Sequence, residues 1–461
     1  MTVPVRMHPP SLAAQPPSQH DHDDELGILR AFRAGLYDCL VARADALMDL
    51  VDALCCSQHV ASLAHLSLEP CFVREWAAAY AALARGRIDQ GRLRGLLAAT
   101  PPLGDPDQPV YAIDVTTWPR RAAQTSPLRQ WHYHPLRHTG GKPVVAAWVY
   151  SWVCRLGMTP DSWTQPLDVW PVGPHADADR VAARQIRGLL ARTPPSAGVP
   201  LVCLDQGYDP SRLQVDLAGV RVQVLVRVRA NRCWYFDPPP RRPGARGRPA
   251  RHGHKLDAAD PATWPPPSRV LREHTRAYGQ VRVWAWQGVH PKQRQPGRWP
   301  TVRGTLLRVQ VEHTRAGMPA QGLWLWWAGT GTPDLGLLWR AYLRRFDIEH
   351  TFGFVKQALG WTTPRLRSPA QAMRWTWLVV AAYTQLRLAR PLIQDVRLPW
   401  QRPQPHGQAT PTRVRQAFPR LLPTLGSPTR APKPRGTTSP GRPKGHHSTP
   451  ARRYPVHSKA G

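Results

Sequence analysis

Three acids stand out for the company they keep. Asp114 is the sole acid of "VYAIDVTTW" (110–118), Asp205 closes the apolar stretch "PLVCL" just before Gly207, and Glu349 lies within "YLRRFDIEHTFGFVKQALGW" (342–361). Most acids are solvated at a surface, so an acid in apolar surroundings asks for a reason. Phosphodiester cleavage with two divalent cations supplies one. It needs a few carboxylates converging from separate elements, because such ions take hard oxygen ligands. Gly207 also lets the chain turn sharply after Asp205. A lone Asp in a strand is weak evidence, since some are merely hydrogen-bonded locally. The set of three, in a basic chain, points to the metal-dependent reaction.

The third acid belongs to a pattern of its own. On a helix, offsets of 3, 7 and 14 from Tyr342 put Arg345, Glu349 and Lys356 at about −60°, −20° and −40° from it. The four share one stripe, flanked by Leu343, Phe346 and Phe354 on one side and Ile348, Phe352 and Leu359 on the other. An Arg fork and a Lys point charge suit phosphate, and burying them without an anion would be costly. The plain alternative is an intrahelical ion pair, since Arg345 and Glu349 are spaced i,i+4.

Charge supports a polyanionic partner. Lys and Arg number 62 against 30 Asp and Glu, a formal net charge of +32. Codon bias can inflate Arg, but it does not explain the scarcity of acids, and nucleic acid is the simplest partner. Seven cysteines without C-x-x-C pairs suggest neither a disulfide framework nor a structural zinc site. The N-terminal stretch shows no apolar signal segment. The longest apolar run, "WTWLVVAAY" (375–383), is too short to span a bilayer. A soluble, intracellular protein is expected.

The elements that must position the acids can be read from periodicity and turn residues. Residues 1–25 are Pro- and His-rich and read as disordered. Residues 26–105 carry a 3.6-residue apolar period and read as a helical domain, either a DNA-end reader or a plain helical cap. Residues 106–229 read as strands, then a helix capped by Asp177, then strand, helix and strand, an α/β layer with a mixed sheet. Residues 230–330 read as β-rich, with strands in "VRVWAWQGVH", "TLLRVQVEH" and "GLWLWWAGT". Residues 331–399 hold the acid-bearing helix and a second one starting at Ser368-Pro369. Residues 400–461 contain 12 Pro, 12 Lys or Arg and no acid, and read as a disordered basic tail.

An Asp inside the first core strand, an Asp at the end of the fourth and a Glu on a helix after the fifth is the order that a ribonuclease H-like sheet brings together. Here the sequence resembles the DDE insertion-sequence transposases, in the branch with a β-rich insertion before the catalytic Glu. That branch carries a Tyr-x2-Arg-x3-Glu-x6-Lys signature, which Tyr342, Arg345, Glu349 and Lys356 fit at every spacing. "YAIDVTTWPR" and "LDQGYD" resemble the regions of the two Asp residues, and the likeness runs from about residue 26 to the tail.

The resemblance implies a transposase that binds terminal inverted repeats, cuts DNA and joins it elsewhere. Asp114, Asp205 and Glu349 would be catalytic metal ligands for two Mg²⁺, with Mn²⁺ able to substitute. Tyr342, Arg345 and Lys356 would hold DNA phosphates. Partners implied are double-stranded DNA, both transposon ends and target, and a second copy of the chain in the DNA complex. No membrane or small-molecule substrate is expected. The implied setting is a bacterial cytoplasm, at the nucleoid during action.

Family members of this type can flip a base onto an aromatic ring, and Trp324 and Trp326 are candidates for such stacking, with β-core packing as the alternative. Arg246, Arg248 and Lys255 in "RGRPARHGHK" form an AT-hook-like basic segment, partly repeated in "GRPKG" (441–445), that suits DNA backbone contact. "HYHPLRH" (132–138) lacks a completing ligand and is not read as zinc-binding. Two other readings remain open: a ribonuclease H-like DNA nuclease without strand transfer, and an inactive DNA-binding element product.

Overall fold

Apolar runs near both ends of the sequence form helices, and the middle of the chain forms a sheet. The computed structural model describes residues 19–133, 144–244, 246–292, 301–313, 322–397, 399–433 and 449–458. Most of "HYHPLRH" and all of "GRPKG" therefore lie outside the described residues, as do residues 1–18 and 434–448.

The chain begins with helix α1 (Gln19–Cys39), strand β1 (Leu40–Ala42), helices α2 (Ala44–Cys56), α3 (Leu63–Leu66) and α4 (Trp76–Arg85), strand β2 (Arg87–Ile88) and helix α5 (Gln90–Ala99). Strands β3 (Val110–Pro119), β4 (Gln130–Tyr133), β5 (Val144–Leu156) and β6 (Thr164–Val172) follow. Then come helix α6 (Ala178–Leu190), strand β7 (Leu201–Leu204), helix α7 (Pro210–Asp216) and strand β8 (Gln223–Val228). The strand-rich stretch holds β9 (Cys233–Tyr235), β10 (Lys255–Asp257), β11 (Arg269–Thr275), β12 (Gly279–Pro291), β13 (Gly304–Val311) and β14 (Leu323–Ala328). Helices α8 (Leu335–Arg344), α9 (Asp347–Gln357), α10 (Pro369–Ala389) and α11 (Pro411–Leu425) come last. None of the described helices is long and apolar enough to cross a membrane.

The chain divides into two units: residues 1–96, 353–365 and 374–446, and residues 97–352, 366–373 and 447–461. The first is helical. From Trp375 to Ala389 its helix α10 is buried on every side, Gln385 and Arg387 included. Arg33 of α1 reaches both oxygens of Asp52 on α2, at 2.6 and 3.0 Å, and Gln385 of α10 at 2.9 Å. Arg415 of α11 donates to the Leu54 carbonyl at 3.2 Å. The tail expected to be disordered thus contains a packed helix, with Val414, Ala417 and Phe418 buried. Its Pro-rich, acid-free composition masked a helical apolar period that opens on Pro411, a residue suited to a first turn. Residues Gln19–Glu25 likewise belong to α1 rather than to a disordered segment.

The second unit is built on a twelve-stranded sheet with the main order β10-β9-β12-β13-β14-β8-β7-β3-β5-β4, to which β11 adds beside β12 and β6 beside β5. β7 runs parallel to β3 and β8, and the other pairs are antiparallel. Ser151 of β5 and Gln185 of α6 share a 2.7 Å hydrogen bond, and Val149, Val172 and Val181 pack together beside it. This mixed α/β arrangement fits the ribonuclease H-like expectation. The β-rich stretch adds its strands to the same sheet. β14 pairs directly with β8, Trp326 opposite Val226, so strands β9–β14 continue the same sheet.

Trp324 and Trp326 lie in the apolar cluster of that extension with Trp234 and Trp286. Trp326 is fully buried and stacks on Trp234 at 4.5 Å between ring centroids. Trp324 stacks on Trp286 at 5.7 Å and meets the edge of Trp264 at 5.2 Å. Both rings are core residues here, and a DNA base would reach them only if that core opened. We expect Trp326→Ala to lower the unfolding free energy by about 3–5 kcal/mol. Denaturant unfolding checks this; an unchanged midpoint would remove the packing role.

Candidate active site

Register brings the two Asp residues side by side. In the parallel pair β3–β7, Ile113 lies opposite Leu204, so the next residues, Asp114 and Asp205, are neighbours where β7 ends. The pair β7–β8 sets Leu204 opposite Val226, which brings Arg227 alongside them. Asp114 accepts the backbone N–H of Val115 at 2.7 Å.

The segment 342–361 is not one unbroken helix. α8 ends at Arg344, residues 345 and 346 form a turn, and α9 starts at Asp347. The turn is closed by tighter bonds, Ile348 N–H to the Arg345 carbonyl at 3.1 Å and Glu349 N–H to the Phe346 carbonyl at 2.9 Å. Arg345 keeps a right-handed helical conformation, so Tyr342, Arg345 and Glu349 remain near one another. Of the flanking residues, Ile348, Phe352 and Leu359 are buried, whereas Phe346 is half exposed. The polar stripe therefore borders a packed side and an open side.

Packing at the start of α9 fixes Glu349. Thr351 and Thr164 of β6 share a 2.7 Å hydrogen bond, and Phe352 meets Trp152 of β5 edge-on at 5.8 Å. Arg344 donates to the Asp161 carbonyl in the loop ahead of β6.

Arg345 joins the acids. Its Nη1 donates to Asp114 Oδ2 at 2.9 Å and its Nη2 to Glu349 Oε1 at 3.2 Å. The Tyr342 hydroxyl donates to Asp205 Oδ1 at 3.1 Å. Arg227, a residue the sequence reading passed over, has its Nη1 3.9 Å from the same Asp205 oxygen. Its signal was available: a cation inside the apolar strand "VRVQVLVRVR". Tyr342 and Arg345, expected to face DNA phosphates, meet carboxylates in this structure.

Electrostatics follow from this geometry. Burial raises the Asp114 pKa most, Arg345 and the Val115 N–H pull it down, and Asp205 and Glu349 push it up, leaving it at about 6 against an ordinary 3.8. Burial alone would lower the Arg345 pKa, but Tyr342 and the three carboxylates outweigh it and hold the guanidinium charged. Burial likewise raises Tyr342, so its hydroxyl keeps its proton and donates.

Among the described residues no three His, Cys, Asp or Glu already stand as a ligand cluster. Two of the carboxylates, Asp114 and Glu349, instead share one guanidinium, which offsets part of their charge, and Asp205 meets Tyr342 and Arg227. Their chemistry nevertheless fits a hard divalent cation: three oxygen donors, close enough for Asp205 and Glu349 to disfavour ionisation of Asp114.

Lys356, on the last turn of α9, has its ammonium 5.9 Å from the Trp361 ring centre. Arg246 and Arg248 are exposed in the loop before β10. Lys255 is exposed on β10 and pairs with Asp257 at 3.0 Å.

Two outcomes test the site as drawn. Arg345→Gln leaves Asp114 without its buried partner, so we expect a loss of about 3–5 kcal/mol at neutral pH, nearly all from the Asp114 arm because Glu349 is more exposed. The pH dependence has a definite sign. With Asp114 held at about 6, the unfolded chain releases this proton first, so ionisation costs stability as pH rises toward 6 and the full cost persists above it. From about pH 4 to about pH 7, wild-type should lose on the order of 3 kcal/mol relative to Asp114→Asn. Urea titrations at both pH values measure the difference.

A family model described as DDE superfamily endonuclease matches residues 35–292. The match spans more than half of the chain and includes Asp114 and Asp205, while Tyr342, Arg345 and Glu349 lie beyond its end. No curated protein matches the chain.

Proposed function

Because the chain belongs to the DDE superfamily endonucleases, we propose that it is the DNA transposase of an insertion sequence, which cuts at terminal inverted repeats and joins the freed ends to target DNA. One observation carries the proposal. Asp114, Asp205 and Glu349, from three elements, are linked through Tyr342 and Arg345, members of the same Tyr-x2-Arg-x3-Glu pattern. Family membership makes DNA the substrate and divalent ions the expected cofactor. Mg²⁺, strand transfer and pairing of two chains on two ends are the finer parts of this reading.

In this reading the three carboxylates hold two divalent ions, which when bound polarise the scissile phosphate, activate water and neutralise the leaving 3′-oxygen. The chain's own residues do the positioning. Asp114 and Asp205 are fixed by strand register, and Glu349 by the docking of α9 on β5 and β6. The Arg345 fork serves phosphate as well as carboxylate, so it can pass from Asp114 and Glu349 to a DNA phosphate. Arg227, more exposed, supplies a second cation beside Asp205. Lys356, Arg246, Arg248 and Lys255 are assigned to the DNA backbone. In the joining step the freed 3′-oxygen attacks a target phosphodiester and displaces the target's own 3′-oxygen, so one phosphodiester forms as another breaks. The β9–β14 extension takes the place of the family branch's insertion.

The test uses the inverted repeats that flank the gene, as labelled duplexes, with purified full-length chain and Mg²⁺. We expect metal-dependent nicking at the ends and joined products from a pre-cut 3′-OH end. Glu349→Gln and Asp205→Asn should lose both activities but keep DNA retention, which falls steeply with salt as released counterions dictate. Nicking without any joined product would favour the plain nuclease. Cleavage that survives Glu349→Gln would sink the assignment of the acids.

A further inference from the structure

The turn that carries Asp205 is held by groups that the proposed reaction does not use. β7 ends at Leu204, and residues 205–208 form the turn that leads toward α7. The Tyr208 N–H closes it on the Asp205 carbonyl at 3.3 Å. Gln206 and Gly207 are exposed, and a Cβ at Gly207 would meet no neighbour among the described residues, so the outer half of the turn lacks support. Support comes from its far end. Tyr208 is buried, and the Asp209 N–H donates to Oδ1 of Asp179 on α6 at 3.0 Å.

Asp179 belongs to a closed chain of bonds. Asp177 caps α6 by accepting the Asp179 N–H at 3.0 Å. Asp209 caps α7 by accepting the Ser211 N–H at 2.9 Å and the Arg212 N–H at 3.3 Å, and the Arg212 side chain returns to Asp177. Toward the other ends of the two helices, Arg187 of α6 donates from Nε and Nη2 to the Asp216 carbonyl of α7 at 3.2 and 2.6 Å. The helices are thus tied at both ends, and only the Asp179 tie reaches the Asp205 turn.

Burial works against a carboxylate at this place. Asp179 is 8 % exposed. Burial raises its pKa most, the Asp209 N–H pulls it down, Asp177 and Asp209 push it up and Arg212 lowers it, leaving it at about 6 against an ordinary 3.8. A solvated acid in the first turn would serve α6 alone. A buried acid bonded to a backbone amide 30 residues on serves the turn as well.

We propose that Asp179 is a positioning residue for Asp205, its carboxylate fixing the Asp209 amide and with it the turn that aims the Asp205 side chain. The inference rests on the reading of Asp205 as one of the reacting carboxylates. The two Asp residues differ in what holds them. Asp114 lies within β3, which stays paired with β5 as far as Pro119. Asp205 lies one residue past the end of β7, so register fixes where it starts and the turn fixes where its side chain points. Asp179 supplies the constraint that strand pairing gives Asp114, and it acts through the backbone without touching substrate.

The test compares Asp179→Ala, Asp179→Asn and Arg187→Ala in the full-length chain. The first removes the acceptor, the second keeps an oxygen that accepts the Asp209 N–H, and the third cuts the far tie and controls for general loosening of the two helices. The readouts are Mg²⁺-dependent nicking of labelled inverted-repeat duplex and hydrogen exchange of amides 206–209 by mass spectrometry. We expect Asp179→Ala to nick about 10–100-fold more slowly, with DNA retention unchanged, because a small misplacement of a reacting group costs rate rather than binding. Its turn amides should exchange faster. Asp179→Asn should stay close to wild-type in both readouts, and Arg187→Ala should nick like wild-type. Equal losses in Arg187→Ala and Asp179→Ala would overturn the proposal, since general loosening would then explain both. Unchanged exchange in Asp179→Ala overturns it whether or not the chain nicks DNA. A wild-type chain that nicks nothing sinks the transposase reading instead, and exchange alone then decides whether Asp179 holds the turn.

Discussion

The Arg345 guanidinium donates to two carboxylates, one 231 residues away on β3 and one four residues ahead on α9. It is almost fully buried, and the protein gives it acid partners instead of water. That constraint orders what surrounds it. The turn between α8 and α9 must place the fork so that each nitrogen meets a different acid. The contacts of Thr351 and Phe352 must then hold α9 against β5 and β6. Tyr342, one turn earlier on α8, does the same for Asp205. A Lys in place of Arg345 could offer a point charge but not this planar, two-ended reach.

The sheet is the second constraint. A parallel β3–β7–β8 core sets Asp114, Asp205 and Arg227 in adjacent registers. Because β14 pairs with the far edge of β8, the tryptophan-filled extension continues the core sheet instead of hanging from it as a tethered domain. Rigidity in that extension therefore bears on the strand that carries Arg227.

Charge is distributed in two opposed ways. The chain is strongly basic, which favours approach to a polyanion, yet three of its 30 acids gather at one place. Positive charge at long range draws DNA, while the local acids favour cations. Arg345 lies between two of those acids. A guanidinium that binds carboxylate and phosphate alike is suited to exchange one for the other.

Much of this was legible in the sequence. Isolated acids in apolar strands, the Tyr342–Lys356 spacing and the strand–helix alternation depend on local composition and period, which a sequence displays directly. The helix cap at Asp177 and the start of α10 at Ser368-Pro369 were equally readable, because capping is chemistry between near neighbours. What escaped depends on partners distant in the chain. The α11 helix is stabilised by burial against residues more than 350 positions away, which no Pro-rich composition reveals. Tyr342 and Arg345 looked like phosphate ligands, but three-dimensional proximity gave them carboxylates first. For Trp324 and Trp326 the sequence left base stacking and core packing both open, and their burial in the sheet is what the fold adds. The sequence by itself determined which residue types could do the chemistry and their order along the strands and helices. Only the tertiary structure decided who pairs with whom, because hydrogen bonds and burial depend on distance in space rather than along the chain.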